Sequence, residues 1–201
     1  MLGLQKVAVT GGLSCGKSSL CRFFGKLGAF TVSADEIVHR QLSSDTTLGQ
    51  HIIRLIGSEI VLNHQINRSL IAKKVFENPA LLHSLEELIH PEVRRELEQL
   101  YTEVSRQQLY PLFVAEIPLL FEVGGKKWFP YDLSVAVIAD PQVCQERFLA
   151  AGHSKEDYKQ RIANQLSMQE KARRADFVIV NDGTLRQLYT QAKIIYNKLI
   201  Q

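Results

Sequence analysis

The sequence predicts a three-layer α/β fold, a central parallel sheet held between helices. Two observations carry this prediction. Short continuous apolar runs alternate with stretches whose apolar residues repeat at helical spacing, the pattern of strands joined by helical crossovers. The first such run also leads into Gly11-x-x-x-x-Gly16-Lys17-Ser18, a glycine-rich turn that opens a helical stretch, the local order a phosphate-binding loop requires.

Taken in order, residues 4–10 read as a first strand. Residues 18–27 read as a helix with Leu20, Phe23, Phe24 and Leu27 on one face. A second strand is expected at 29–33. Residues 35–105 read as helical throughout, with Leu81, Leu85, Leu88 and Ile89 on one stripe. A separate helix is expected to begin at Pro91, since proline suits a first turn, and to bury Val93, Leu97, Leu100 and Val104. Residues 112–115, 133–139 and 177–180 are unbroken apolar runs, expected of strands covered on both faces. A final helix over 185–200 presents Leu188, Ala192, Ile195 and Leu199. The helical block at 35–105 is too long for one crossover and is expected to project as a subdomain.

Composition narrows the function classes. A chain of 201 residues supports one sizeable core and is short for two independent domains. Hydrophobic residues at 45% and charged residues at 22% exclude disordered and fibrous classes. No apolar run approaches the roughly 18 residues of a membrane span, and the first residues lack the basic start and cleavage site of a signal peptide. Cys15, Cys21 and Cys144 are the three cysteines. They form neither an even disulfide framework nor a Cys-x-x-Cys metal pair, so a reducing cytoplasmic compartment is expected. A net charge of +3 is too balanced to argue for nucleic acid. Between residues 144 and 174, however, seven Lys/Arg (Arg147, Lys155, Lys159, Arg161, Lys171, Arg173, Arg174) face four acids. This reads either as a solvated helical face or as a basic lid.

The loop explains its own residue types. Curling of Gly11, Gly12, Leu13, Ser14, Cys15 and Gly16 turns successive N–H groups inward as an anion nest, and the following helix adds its unpaired N-terminal donors. Lys17 then reaches the β- and γ-phosphates, and the Ser18 hydroxyl is placed to ligate Mg²⁺. The chain is therefore expected to bind a nucleoside triphosphate. A GTPase would carry Asn-Lys-x-Asp at a strand end, which is absent, and a motor or oligomeric ATPase would be larger. A small-molecule kinase fits the size and needs an acceptor pocket and a lid. Residues 35–105 and 146–174 are the candidates, around a core of 1–34, 106–145 and 175–201 within one domain of residues 1–201. A nucleotide-controlled binding switch stays open, because a phosphate loop determines binding and not its use. Cys15 has a helix N-terminus and Lys17 beside it, surroundings that lower a thiol's pKa. It is expected to be oxidisable in a way that bound ATP prevents.

The segments VTGGLSCGKSS, VSADEIVHR, LIHPEV, IPLLFE, RIANQ and KARRADFVIVNDG occur in that order across almost the whole chain. Together they resemble the dephospho-CoA kinase family. The resemblance implies a P-loop nucleoside-kinase-like fold and transfer of the γ-phosphoryl group of ATP, with Mg²⁺, to the ribose 3′-hydroxyl of dephospho-CoA. A cytoplasmic monomer or weak homo-oligomer with no nucleic-acid or membrane partner is expected. Another nucleotide-like acceptor is the alternative. Asp35 matches the second aspartate of the family's Asp-Ala-Asp motif, its proposed general base; capping of the next helix is the competing reading. Arg147 and Arg161 are expected to close over the phosphates. His90 and Glu122 are candidates for the acceptor, although His90 before Pro91 equally suits a backbone carbonyl, and Glu122 a nearby Arg. Asn181 follows the last strand, where adenine docks in such kinases. Ser33, Ser14, Cys15 and Ala151 depart from the family pattern. Ser33 stands where a metal-orienting carboxylate is usual, and Ala151 where a second lid arginine is usual.

Overall fold

The protein is seen as a computed structural model in which residues 4–62, 65–76 and 78–201 are described. In chain order the elements are β1 (Gln5–Gly11), α1 (Lys17–Lys26), β2 (Phe30–Ser33), α2 (Ala34–Gln41), α3 (Thr47–Ile56), β3 (Val61–Leu62), β4 (Gln65–Ile66), α4 (Arg68–Phe76), α5 (Pro79–Gln107), β5 (Leu112–Glu116), β6 (Leu133–Ile138), α6 (Pro141–Ala150), α7 (Lys155–Ala163), α8 (Met168–Arg174), β7 (Phe177–Val180) and α9 (Leu185–Leu199). They divide into two compact units, residues 34–99 and the remainder.

The larger unit is built on a five-stranded sheet in the order β2-β5-β1-β6-β7, with every pairing parallel. Val7, Val9, Val114, Val135 and Val137 are fully buried, and such β-branched side chains pack well on a pleated surface. Strand β1 is central. Its neighbours β5 and β6 both come later in the chain, so the carboxyl end of β1 is a topological switch point, where a ligand crevice opens in sheets of this kind. The register sets Val9 beside Glu116 on one side and Gly11 beside Val137 on the other. On one face α1 packs against α9 through Phe23 and Tyr189, edge to face at 5.2 Å, with Leu20, Phe24, Leu188 and Ala192 buried. The end of α5 contributes buried Val104 and Tyr101, whose ring meets Phe113 at 5.4 Å and whose hydroxyl donates to the Leu4 carbonyl at 2.9 Å. Strand β7 departs from the expected double cover. Val178 and Val180 are 40% and 48% exposed, because β7 lies at the edge of the sheet and only its other face, Phe177 and Ile179, turns into the core.

The smaller unit has its own core of Leu48, Ile52, Ile56, Ile60, Ile66, Ile71, Val75 and Leu85. Its chain is not helical throughout. An antiparallel ribbon pairs Val61 with Ile66 and Leu62 with Gln65, after a left-handed Gly57 that ends α3. An apolar run as short as Ile60-Val61-Leu62 has no periodicity to separate strand from helix. The second departure is at Pro91. No helix starts there; Pro91 sits inside the continuous 29-residue α5. Proline lacks the N–H that would pair with the Glu87 carbonyl. Leu85 before it and Val93 and Leu97 after it are all buried, so packing on both sides carries the helix through. No described helix is long and apolar enough to cross a membrane.

Because Pro91 is exposed, its ring costs helix stability without filling core space. Pro91→Ala is expected to raise the unfolding free energy by about 1–3 kcal/mol, read as a higher urea midpoint with the slope unchanged.

Candidate active site

The site begins with the turn between β1 and α1. Gly11 closes β1 at φ +144°, and a Cβ there would sit 2.0 Å from the Val137 carbonyl oxygen. Gly16 adopts φ +98°, and its Cβ would meet the Asn181 amide nitrogen at 2.3 Å. Only glycine fits either place. Between them Ser14 holds φ +57°, a left-handed conformation that a serine adopts at a cost of roughly 1–2 kcal/mol. The loop is closed by bonds from the Gly12 amide to the Val137 carbonyl (3.3 Å) and from the Cys15 amide to the Gly12 carbonyl (3.4 Å).

Helix α1 differs from its neighbours at its start. Helices α3, α6, α7, α8 and α9 each begin with a Ser, Thr or Asp side chain that accepts a first-turn amide. At α1 the cap is Gly16, no side chain accepts from the first turn, and no acidic residue lies in it. Its amide donors and the positive end of its dipole are left for an anion. Lys17, nearly buried, donates to the Gly12 carbonyl at 2.8 Å. The Ser18 hydroxyl donates to Glu116 Oε1 at 2.8 Å.

A cleft of about 520 Å³ opens over this turn, lined by Ser14, Gly16, Lys17, Ser18, Arg147, Asn181, Gly183 and Leu185 among others. The structure thus brings Ser14, Gly16, Lys17, Ser18, Arg147 and Asn181 together on one surface. Gly11 and Gly12 form the base of the turn, and Leu13 packs against the core. Cys15 is fully buried, its side chain turned away from the cleft. Arg147 donates to the Asn181 carbonyl at 2.8 Å and to the Gly183 carbonyl at 3.3 Å. The buried Asn181 amide donates to the Cys15 carbonyl at 2.8 Å, so this side chain braces the loop. Arg161 is not among the lining residues; its guanidinium lies 5.6 Å over the Phe148 ring.

Glu122 has found protein partners. Its Oε1 accepts from the Leu166 amide and from Lys171 Nζ, both at 2.9 Å. Lys171 has no exposed side-chain surface and also donates to the carbonyls of Gly11 (3.3 Å) and Pro118 (2.9 Å). Burial holds its ammonium below the usual lysine range, and Glu122 opposes that shift. In the smaller unit, Asp35 lies with Glu36 in the first turn of α2, exposed to solvent, in the helix that begins where β2 ends. His90 is half-buried on α5. Burial pushes its imidazole below the ordinary value, with Glu86 acting against it.

One functional candidate escaped the sequence, and another, Lys171, was expected only as a lid cation that, with Arg173, could compensate for the arginine missing at Ala151. Glu116 is a lone carboxylate closing the apolar run LFVAE, and that position at a strand end was the available signal. Lys171 was one of seven basic residues in its segment, and nothing local marks it as the buried one. The donor set at Ser18 and Glu116, a hydroxyl and a carboxylate oxygen 2.8 Å apart, is of the hard-oxygen kind that Mg²⁺ takes. No cluster of three or more His, Cys, Asp or Glu that could hold a metal ion exists among the described residues.

Comparison with known proteins follows the same lines. The family model described as dephospho-CoA kinase matches residues 5–187. A dephospho-CoA kinase of Protochlamydia amoebophila is 48% identical over 201 residues, covering 99% of this chain and 98% of that protein. A Thermus thermophilus crystal structure superposes with a TM-score of 0.81 at 30% identity, covering 98% of each chain. A dephospho-CoA kinase from Campylobacter jejuni shares the fold at a TM-score of 0.69, 23% identity and 96% coverage of each chain.

The buried pair generates a stability prediction. Lys171→Met leaves the Glu122 carboxylate without its cation and is expected to lower the unfolding free energy by about 3–5 kcal/mol. The double variant Lys171→Met/Glu122→Leu is expected to recover most of that loss in denaturant titrations.

Proposed function

The chain belongs to the dephospho-CoA kinase family, and from that premise we propose how its residues divide the work of phosphorylating dephospho-CoA to coenzyme A at the expense of ATP. The uncapped start of α1 carries the reading. Amides of the Gly11–Ser18 turn receive the triphosphate, and Lys17 exchanges the Gly12 carbonyl for the β- and γ-phosphate oxygens. Adenine lies along the wall of Arg147, Asn181, Gly183 and Leu185. Ser18 and Glu116 are the residues that would hold Mg²⁺, which neutralises charge across the phosphate oxygens when bound.

Asp35 accepts the proton of the ribose 3′-hydroxyl, or aligns that hydroxyl with the γ-phosphorus. Support comes from its place in the chain, directly after β2, and from its exposure on α2. His90 and Glu122 are assigned to the acceptor side; Glu122 Oε2 is buried without a hydrogen-bond partner among the described residues. Residues 146–174 act as a lid. Its closure lifts Arg161 from Phe148 toward the transferring phosphoryl group, where the planar guanidinium binds phosphate oxygens bidentately. The enzyme is assigned to the cytoplasm, as a monomer or weak homo-oligomer without nucleic-acid or membrane partners, in keeping with its balanced charge.

The test is direct. The protein is incubated with Mg-ATP and dephospho-CoA, AMP or no acceptor, while ADP and the acceptor mass are followed. A 3′-phosphorylated product is expected with dephospho-CoA alone; phosphorylation of AMP at a comparable rate would favour a broader nucleotide-like acceptor. Asp35→Asn is expected to keep ATP affinity while losing about 10²–10⁴ in turnover; unchanged turnover removes it as the base. Glu116→Gln is expected to raise the Mg²⁺ concentration needed for half-maximal rate, with ATP affinity in the absence of metal unaltered.

A further inference from the structure

Behind the phosphate loop, on the side away from the cleft, three sulfur atoms meet. Cys15 Sγ lies 3.1 Å from Cys144 Sγ and 3.2 Å from Met168 Sδ. Both cysteines are free thiols with no exposed surface, and they stand 129 residues apart in the chain. Phosphate binding uses backbone amides of the turn and makes no use of the Cys15 thiol. Cys144, on the inner face of α6, has no part in the chemistry above. We propose that Cys15 and Cys144 form a reversible disulfide under hydroperoxide, a covalent modification site that disables the phosphate loop.

The step balances with one hydroperoxide molecule. The Cys15 sulfur, as thiolate, attacks one peroxide oxygen; an S–O bond forms, the O–O bond breaks, and the departing hydroxide takes the proton that Cys15 released. The Cys144 sulfur then attacks the resulting sulfenic sulfur. An S–S bond forms, the S–O bond breaks, and water leaves with the Cys144 proton. Two thiols and one hydrogen peroxide give one disulfide and two waters, and a dithiol reductant reverses the change.

The surroundings separate the two roles. The hydrogen bond with Cys144, in which either sulfur can donate, together with nearby Lys17 holds the Cys15 thiol below its ordinary range although burial opposes the shift. The same contact and burial push Cys144 well above its own, so it stays protonated until it attacks. Hydrogen peroxide is close to water in size. Cys15 lies one contact beneath Met168, which is only partly buried at the start of α8.

The consequence follows from where the two sulfurs are attached. A disulfide shortens their separation from 3.1 Å to about 2.05 Å, drawing Cys15 roughly 1 Å toward α6. Cys15 sits between left-handed Ser14 and Gly16, and its carbonyl holds the Asn181 amide. The pull therefore turns the amides of the nest away from their phosphate-binding directions. Helix α6 also carries Arg147, bonded to the carbonyls of Asn181 and Gly183, so both walls of the cleft are tied together.

The experiment treats the full-length protein with hydrogen peroxide, then maps peptides without reduction and measures Mg-ATP affinity and turnover before and after dithiothreitol. Expected are a linked Cys15–Cys144 peptide, unmodified Cys21, and turnover lower by about 10²-fold, the scale of a 1 Å misplacement, with recovery on reduction. Cys144→Ala is expected to keep basal turnover and lose the dithiothreitol-reversible inactivation, while Cys21→Ala responds like the parent chain. Peptide mapping does not depend on turnover, so a failed disulfide and a failed kinase assignment give different results. The proposal is overturned by absence of the linked peptide, by equal reversible inactivation of Cys144→Ala, or by a linked protein that retains full turnover. Loss of activity that follows Met168 sulfoxide and resists dithiothreitol overturns it as well.

Discussion

A phosphate-binding turn must leave its amide donors unpaired on the concave side, and for that reason it cannot hold its own shape. Gly11 and Gly16 allow the curl, yet the same freedom makes such a loop entropically costly to order. In this protein the order comes from outside. The Val137 carbonyl takes the Gly12 amide, Asn181 grips the Cys15 carbonyl, and Lys171 reaches the Gly11 carbonyl from a helix 160 residues later in the chain. None of the three contacts uses the first-turn amides of α1, so support leaves those donors free for an anion. Each also comes from an element after β1, which makes the loop a sensor of how β6, β7 and α8 are seated.

Lys171 shows how far that dependence goes. A cation with no exposed side-chain surface is tolerated only with full hydrogen bonding and an opposite charge. It obtains both from Gly11, Pro118 and Glu122. Thr10 donates to the same Pro118 carbonyl at 3.1 Å, and Glu122 takes the Leu166 amide. The root of the basic 146–174 segment is thereby joined to the loop and to the end of β5 through one buried charge. If residues 146–174 form the lid proposed above, an anchor at this point lets its far end, where Arg161 lies, move without loosening the turn between β1 and α1.

The paired sulfurs lie buried beside the loop, against Met168. Soft, polarisable side chains fill such a gap well, and in a reducing compartment they act simply as packing. Under oxidants the same contact turns into a covalent tie between the loop and α6. One arrangement thus serves structure in one redox state and control in the other, without any residue being spent on the chemistry.

Much of this was legible in the amino-acid sequence. The phosphate loop is a local device, since spacing, glycine placement and the strand-turn-helix order all lie within 18 residues of the start. Strands β5, β6 and β7 are dense apolar runs, and α9 has clean helical periodicity, so neighbour-to-neighbour physics suffices to mark them. The helix through Pro91, the β3–β4 ribbon and the open face of β7 were not legible, because each depends on what packs, or fails to pack, against a weak local preference. The site divides in the same way. Lys17 and Ser18 follow from the motif, whereas the Glu116–Ser18 bond, the Lys171–Glu122 pair, the bracing by Asn181 and the Cys15–Cys144 contact join residues 49 to 166 positions apart. Sequence alone determined the phosphate-loop turn between β1 and α1, because backbone geometry at that turn is a property of consecutive residues. Tertiary structure alone decided which charges and sulfurs hold the cradle, because burial and distance between remote side chains exist only once the sheet has closed.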